Sequence, residues 1–246
     1  MRTVHTTLGG LTCHVVEEPG TRPDLAVILC HGFGATGDDL APFAAEIAAR
    51  LPAVRGRVRF VFPEAPLTLG DLGYGTSRAW WMIDLQSIAA RRAGDGEALR
   101  RYRQETPEGL GHARRLLRGA VDQLLGETGL GFGQVVLGGF SQGSMLTLDL
   151  ALRLDEPPAA LWALSGTLIA EPEWRRLAPR RKGLHVVQSH GTLDPILPFE
   201  NAVALRDLLI ESGLEVDFLS FPGEHTIPPT ALDKLIGSLT GLLAAK

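Results

Sequence analysis

Short apolar runs rich in Val, Leu and Phe recur along the chain and alternate with longer stretches of mixed apolar and polar positions. The runs predict strands at 11–16, 25–30, 58–62, 134–138, 159–164, 184–189 and 215–221. Helical periodicity predicts helices at 39–50, 107–126, 143–153, 199–212 and 229–244. Continuous apolar strands separated by helices are typical of a mostly parallel sheet with both faces covered, so the pattern predicts an α/β fold.

One segment breaks this alternation. Residues 84–106 are rich in arginine, interrupted by glycines and without a strand pattern. Such an excursion is either a solvated surface loop or a flap over a binding cleft. No repeat, low-complexity tract or proline-rich linker divides the chain. Residues 1–246 are therefore predicted to form a single domain that includes this irregular excursion.

Composition narrows the function classes. The 246 residues are 45% hydrophobic and 21% charged, with a net charge of −4 and a pI of about 6.0. This balance argues against a nucleic-acid partner, because such domains are usually strongly basic. The N-terminus has no apolar signal core and no stretch reaches the ~18 apolar residues of a membrane span, which predicts a cytoplasmic location without integral membrane association. Cys13 and Cys30 are too few for a disulfide scaffold or a four-cysteine zinc site.

A candidate nucleophile lies between a predicted strand and a predicted helix. Residues Gly139 to Gly143 form a G-x-S-x-G motif around Ser141, directly after the run Val135-Val136-Leu137. On such a turn the serine is held in a strained conformation and the helix that follows points its amides at it. The motif alone also occurs in structural turns. Its placement after a strand and before a helix favours a catalytic serine.

A serine nucleophile needs a base and an orienting acid, which follow it in this topology in the order acid, then histidine. Three histidines follow Ser141. His185 lies inside an apolar strand, which indicates packing, and His190 would need an acid from elsewhere. His225 closes the last strand before the C-terminal helix, at the sheet edge where ligands bind, and is the predicted base. Asp194 also follows a strand directly and is the predicted acid, which holds the imidazole tautomer rather than taking the proton.

The glycine-rich turn after the strand at 25–30 has two interpretations. A phosphate cradle is one, but the turn lacks both G-x-G-x-x-G and the lysine of a P-loop. The other is half of an oxyanion hole, whose second half comes from the amide of the residue after the nucleophile.

Five motifs in the same order resemble those of the phospholipase/carboxylesterase family, which includes bacterial carboxylesterases and acyl-protein thioesterases. They are His31-Gly32-Phe33-Gly34, Gly138-Gly139-Phe140-Ser141-Gln142-Gly143, Ala163-Leu164-Ser165-Gly166, His190-Gly191-Thr192-Leu193-Asp194-Pro195 and Gly223-Glu224-His225-Thr226-Ile227. The resemblance runs from about Leu25 to the C-terminus. It implies an α/β-hydrolase fold with no large cap domain, no cofactor and no metal. It also implies a triad of Ser141, Asp194 and His225, with oxyanion donors from the Phe33 and Gln142 amides.

The adjacent Trp80 and Trp81 are the predicted substrate-binding residues. Neighbouring side chains of an extended segment point to opposite sides, so one is expected to line an apolar acyl pocket while the other packs elsewhere. Their surroundings resemble the family's W-[FY]-D segment, although Met82 replaces the aspartate of that pattern. The resemblance favours Trp80 over Trp81.

Together these features predict a carboxylesterase that acts on small-molecule esters through an acyl-enzyme on Ser141. A thioesterase or lysophospholipase would use the same triad, because the tetrahedral step is common to all three. A non-catalytic binding protein of the same fold would show a damaged triad or oxyanion turn, and the sequence shows neither. No heptad or long apolar stripe indicates an interface, and the chain is predicted to be a monomer or homodimer.

Overall fold

A single eight-stranded sheet forms the centre of the computed structural model, which describes residues 1–83 and 96–245. Its strands, with two short ones outside it (β5 and β6), are β1 (Arg2–Leu8), β2 (Leu11–Glu17), β3 (Leu25–Cys30), β4 (Val58–Pro63), β5 (Leu67–Thr68), β6 (Arg78–Ala79), β7 (Val135–Phe140), β8 (Ala160–Leu164), β9 (His185–Gly191) and β10 (Glu215–Phe221). The strand order is β1-β2-β4-β3-β7-β8-β9-β10. β1 and β2 pair antiparallel, and β2 pairs antiparallel with β4. All strands from β4 to β10 in this sheet run parallel, which confirms the predicted α/β class.

The strand β1 is absent from the sequence prediction for a physical reason. It lies at the edge of the sheet, and Leu8 is its only buried residue. A strand that buries one side chain has no apolar run and no apolar–polar alternation by which to recognise it. Its pairing with β2 is instead set by a tight turn at Gly9 and Gly10, both of which have positive φ.

The described helices are α1 (Pro42–Arg50), α2 (Gly96–Gln104), α3 (Leu110–Thr128), α4 (Gln142–Arg153), α5 (Glu171–Leu177), α6 (Phe199–Glu211) and α7 (Pro229–Ala244). The prediction ended α3 at Gly126, but the helix continues to Thr128 and stops at Gly129, whose φ is 73°. α2 overturns the expectation of irregular structure across part of the excursion at 84–106. It has no buried residue, so no apolar stripe marks it in the sequence. Residues 84–95 of that excursion lie outside the described part of the chain.

Two apolar cores lie on the two faces of the sheet. Along β3, Ala26 and Ile28 contribute to one core and Val27 and Leu29 to the other, as alternation along a strand requires. Helices α1 and α7 cover one face, while α3, α4, α5 and α6 cover the other. No helix among the described residues has the length and apolar character needed to cross a membrane.

A buried carboxylate joins three helices on the second face. Asp149 of α4 has a fully buried side chain and receives hydrogen bonds from Arg114 of α3 at 2.6 Å and the Trp174 indole of α5 at 2.9 Å. Arg153 completes the set at 3.2 Å. A buried charge is tolerated only when it is paired and hydrogen-bonded, and removal of this carboxylate would leave the buried Trp174 indole without its acceptor.

Both cysteines are buried and free. Cys13 lies in β2 and Cys30 ends β3. Burial raises the pKa of the Cys13 thiol to about 12 and that of Cys30 well above its ordinary value. Since the thiolate is the reactive form, both side chains are inert in the folded protein.

Candidate active site

Ser141 lies at the sharp turn between β7 and α4, with φ 53° and ψ −115°. Non-glycine residues rarely adopt such angles, and strain of this kind is held in place by the structure around it. The Ser141 amide donates to the Leu164 carbonyl at 2.9 Å. A Cβ added at Gly139 or Gly143 would overlap backbone atoms, including the carbonyl oxygen of Cys30. The two glycines of the motif therefore permit the close approach of β3 that the turn requires.

Asp194 and His225 meet at the carboxyl end of the sheet, as predicted from their positions after β9 and β10. The Nδ1 of His225 donates to Asp194 Oδ2 over 2.6 Å. The other carboxylate oxygen accepts the amides of Ile196 at 2.8 Å and Leu197 at 2.9 Å. The imidazole is thereby held in the tautomer with the proton on Nδ1, which leaves Nε2 unprotonated and able to accept a proton.

Hydrogen bonds favour the ionised form of Asp194. Burial alone would raise the pKa of Asp194, but hydrogen bonds from His190, His225 and the Leu197 amide outweigh burial and hold that pKa well below its ordinary value. The carboxylate is therefore ionised across the neutral range and can stabilise an imidazolium at His225.

The other two histidines do not border the Ser141 cavity. His190 is fully buried, and its Nε2 donates to the Leu197 carbonyl at 2.8 Å while lying 3.3 Å from Asp194 Oδ2. His190 thus helps to hold the loop that carries Asp194 through its contacts with Leu197 and Asp194. His185 begins β9 and is half-buried rather than packed in the core, and it borders a separate groove with Asp217 and Lys234.

Two backbone amides, those of Phe33 and Gln142, are the candidate oxyanion donors that the sequence predicts. Phe33 borders the same cavity as Ser141, on the turn after β3. Gln142 is the first residue of α4, so its N–H lies at the helix end where partial positive charge gathers. Within the described residues, neither of these two N–H groups donates a hydrogen bond to another backbone carbonyl.

The cavity above Ser141 has a volume of about 640 Å³ and is mostly apolar. Its walls are Gly32, Phe33, Ala35, Asp39, Trp81, Met82, Ile83, Tyr102, Glu105, Thr106, Pro107, Glu108, Phe140, Ser141, Met145, Ile196, Leu197 and His225. Trp81 borders the cavity, and Trp80 does not. The cavity lining therefore favours Trp81 over Trp80 at the substrate, because the Trp80 indole turns inward and donates to the His31 carbonyl at 2.9 Å.

The excursion at 84–106 contributes directly to this cavity. Tyr102 of α2 and the residues that follow α2, Glu105 and Thr106, form part of its wall. Arg103 of the same helix lies 3.6 Å from Glu171, an ion pair between α2 and α5. The described end of the excursion is therefore neither a detached surface loop nor remote from the cleft.

Sequence reasoning missed the support for the His225 loop. Ser165 follows β8 with φ 46°, and its hydroxyl donates to the Thr226 carbonyl at 2.9 Å. Its amide donates to the Ser189 carbonyl at 2.8 Å. The one indication in the sequence of a role for Ser165 is that Ser165-Gly166 belongs to one of the five family-like motifs. Among the described residues, no group of His, Cys, Asp and Glu side chains has the arrangement of a metal site.

Comparison with known proteins places this geometry in context. The sequence profile of the phospholipase/carboxylesterase family matches residues 11–243. Acyl-protein thioesterase 1 of Neurospora crassa is 29% identical over 223 residues, which cover 89% of this chain and 87% of that protein. The protein of the same name from Gibberella zeae is 28% identical over 224 residues, covering 89% and 91%.

Solved structures show the same architecture. The esterase PE8 superposes with a TM-score of 0.76 at 28% identity, covering 94% of this chain and 98% of that one. A carboxylesterase from Mesorhizobium loti superposes with a TM-score of 0.74 over 98% of this chain and 100% of its own, at 17% identity. The second likeness concerns the fold alone.

Proposed function

Because the chain belongs to the phospholipase/carboxylesterase family of hydrolases, we propose that it is a carboxylesterase whose triad is Ser141, Asp194 and His225. The observation that carries the proposal is the 2.6 Å hydrogen bond from His225 Nδ1 to Asp194 Oδ2, with His225 and Ser141 on the wall of one apolar cavity. A base oriented by an acid, beside a serine on a strained turn, is the arrangement that activates a hydroxyl.

The reaction follows from these groups. Ser141 Oγ attacks the ester carbonyl carbon while His225 Nε2 takes the hydroxyl proton. The negative charge moves to the former carbonyl oxygen, where the Phe33 and Gln142 amides stabilise it. Collapse of this intermediate breaks the bond to the alcohol oxygen, which receives the proton from His225. Water then attacks the acyl-enzyme by the same route, and the acid and free Ser141 result.

The cavity favours an acyl group over a polar one. Trp81, Met82, Phe140 and Met145 border it, and each can contact an alkyl chain through dispersion and apolar burial. We therefore propose small-molecule or lipid-type acyl esters as substrates. No cofactor is required for any step of this mechanism. A cytoplasmic location and a monomeric or dimeric state remain predictions for fractionation and light scattering.

A thioesterase is the second candidate. The relatives from Neurospora crassa and Gibberella zeae bear the name acyl-protein thioesterase 1, and attack on a thioester carbonyl needs the same groups. Comparison of kcat/KM for oxygen esters and thioesters of matched acyl length separates the two, because only the leaving group differs.

Ser141→Ala tests the proposal. The variant is expected to lose turnover of p-nitrophenyl esters and labelling by a fluorophosphonate probe, while the wild type shows both. Ser220→Ala, on the exposed side of β10, is the matched control and should behave as the wild type. A wild type that resists labelling and turns over no ester would instead indicate a non-catalytic binding protein.

A further inference from the structure

A chain of buried hydrogen bonds joins the two sides of the candidate oxyanion hole. The side chain of Gln142 accepts the Trp80 amide at 2.9 Å and donates to the Trp81 carbonyl at 2.8 Å. The Trp80 indole then donates to the His31 carbonyl at 2.9 Å. Gln142, Trp80 and His31 are each at most 1% exposed. No water competes for these bonds, so each one is effective in holding its partners.

His31 fixes the far end of this chain. Its Nδ1 donates to the Gly32 carbonyl at 2.8 Å and its Nε2 accepts the Ala65 amide at 3.0 Å. This pairing requires the neutral imidazole with the proton on Nδ1. Burial lowers the pKa of His31, which favours the same neutral form. The turn that carries Phe33 is thus tied to the end of β4 and, through the carbonyl of His31, to Trp80.

We propose that Trp80 is a positioning residue that holds the oxyanion hole together, an inference that rests on the proposed function. The Gln142 amide belongs to the start of α4 and the Phe33 amide to the turn after β3, and no covalent segment shorter than a hundred residues joins them. Trp80 contacts both sides: its backbone N–H through the Gln142 side chain, and its indole N–H through the His31 carbonyl, two residues before Phe33.

Trp80 and Trp81 are both buried, but only Trp81 borders the cavity. Trp81 offers its side chain to the substrate cavity, whereas Trp80 uses its side chain for the hydrogen bond to His31. Oxyanion donors act by being aimed at the oxyanion before the charge develops, so a shift of one donor weakens the transition state more than the ground state. Loss of a side chain that only filled the core would lower the stability of the fold. It would not weaken binding of the transition state relative to binding of the ground state.

Trp80→Phe tests the role, because it keeps an aromatic ring and removes the indole N–H. We expect kcat to fall by about 10- to 100-fold, since misplacing a catalytic group by ~1 Å can cost 10²-fold. The affinity for a trifluoromethyl ketone, which forms a tetrahedral adduct on Ser141, should fall by the same factor. KM should stay within about twofold of the wild type, the pattern of an interaction made in the transition state.

Trp162→Phe is the matched control. Trp162 is also fully buried and its indole donates one hydrogen bond, to Ser238 Oγ at 3.2 Å, but it packs in the core on the opposite face of the sheet. It should lose stability and keep both kcat and ketone affinity. If the two variants change kcat and ketone affinity alike, Trp80 is an ordinary core residue and the proposal is wrong.

A second variant covers the case in which Trp80→Phe does not fold. Trp80→benzothienylalanine replaces the indole N–H by sulfur and keeps the bicyclic ring, so this variant is expected to fold and to show the same losses. Ketone affinity equal to that of the wild type would overturn the proposal. Fluorophosphonate labelling of Ser141 in the wild type separates this result from failure of the proposed function, which would abolish labelling altogether.

Discussion

The hydrogen-bond pattern around Asp194 predicts a specific defect for Asp194→Asn. In the wild type, Oδ1 accepts two backbone amides, from Ile196 and Leu197, and Oδ2 accepts His225 Nδ1. An asparagine has one oxygen and one NH2 group. The two amides, at 2.8 and 2.9 Å, select the orientation in which the oxygen takes the Oδ1 position, because a backbone N–H cannot become an acceptor, whereas at Oδ2 the His225 ring can change tautomer and His190 Nε2 lies farther away, at 3.3 Å. The NH2 group must then face His225.

That arrangement inverts the imidazole. An NH2 donor facing His225 Nδ1 across 2.6 Å is compatible only with the tautomer that carries its proton on Nε2. His225 Nε2 then has no lone pair for the Ser141 proton. The same substitution in a serine protease lowers kcat by about 10⁴-fold with the geometry intact, which corresponds to about 5 kcal/mol of activation free energy at 1.36 kcal/mol per decade.

Steady-state hydrolysis of a p-nitrophenyl ester at neutral pH measures this effect, with a loss of about 10⁴-fold in kcat expected. Asp217→Asn is the matched control, because Asp217 pairs with Lys234 at 2.8 Å away from the cavity and should retain full turnover. An Asp194→Asn variant within about tenfold of wild-type kcat would refute the tautomer argument.

Three further outcomes are expected. Gly143→Ala should lower kcat by at least about 10²-fold, because its new Cβ overlaps the carbonyl of Cys30; Gly126→Ala, where a Cβ meets open space, should instead stabilise the fold by about 0.5–1 kcal/mol in urea unfolding. Asp149→Ala should cost about 1–3 kcal/mol in the same assay, since the buried Trp174 indole N–H loses its acceptor and the partly exposed Arg114 loses its counter-charge. Finally, the folded state holds the pKa of Asp194 below its ordinary value, so the stability it contributes is present above that value and is lost as pH falls. The difference in free energy of unfolding between the wild type and Asp194→Asn should be constant above about pH 5 and shrink below about pH 4, and a difference that grew towards acid would contradict the assignment.

Local patterns in the sequence account for much of the fold and for the placement of the candidate triad. The strand before Ser141, β7, is a continuous buried run because both faces of the sheet are covered there. The strand before Asp194, β9, is buried but includes polar residues, and β10, before His225, is an edge strand that buries only Phe221. Ser141 follows β7 directly, and Asp194 and His225 lie in the loops just after β9 and β10. Parallel strands bring their carboxyl ends to one edge. Proximity at that edge therefore follows from chain order alone.

The remaining features depend on contacts between distant segments. Trp80 and Trp81 follow the two-residue strand β6, and the Trp80 ring is turned away from the cavity by its hydrogen bond to the His31 carbonyl, 49 residues earlier in the chain. No periodicity in two residues reveals that choice. The Gln142 side chain likewise bonds to a segment 61 and 62 residues away. Helix α2 borders the cavity without burying any residue. Its place at the cavity therefore follows from the three-dimensional structure and not from an apolar pattern in the sequence.

The two buried, unreactive thiols can report local opening of the sheet. A maleimide should modify neither cysteine while the fold is closed, so each rate of modification measures how often that strand opens. Cys13 lies next to the edge strand β1, opposite Thr6. Cys30 lies opposite Gly139 and one residue before His31, where the oxyanion turn begins. Faster modification of Cys13 than of Cys30 would mean that the hairpin of β1 and β2 opens independently of the rest of the sheet. The oxyanion turn after β3 would then open only when the central strands separate.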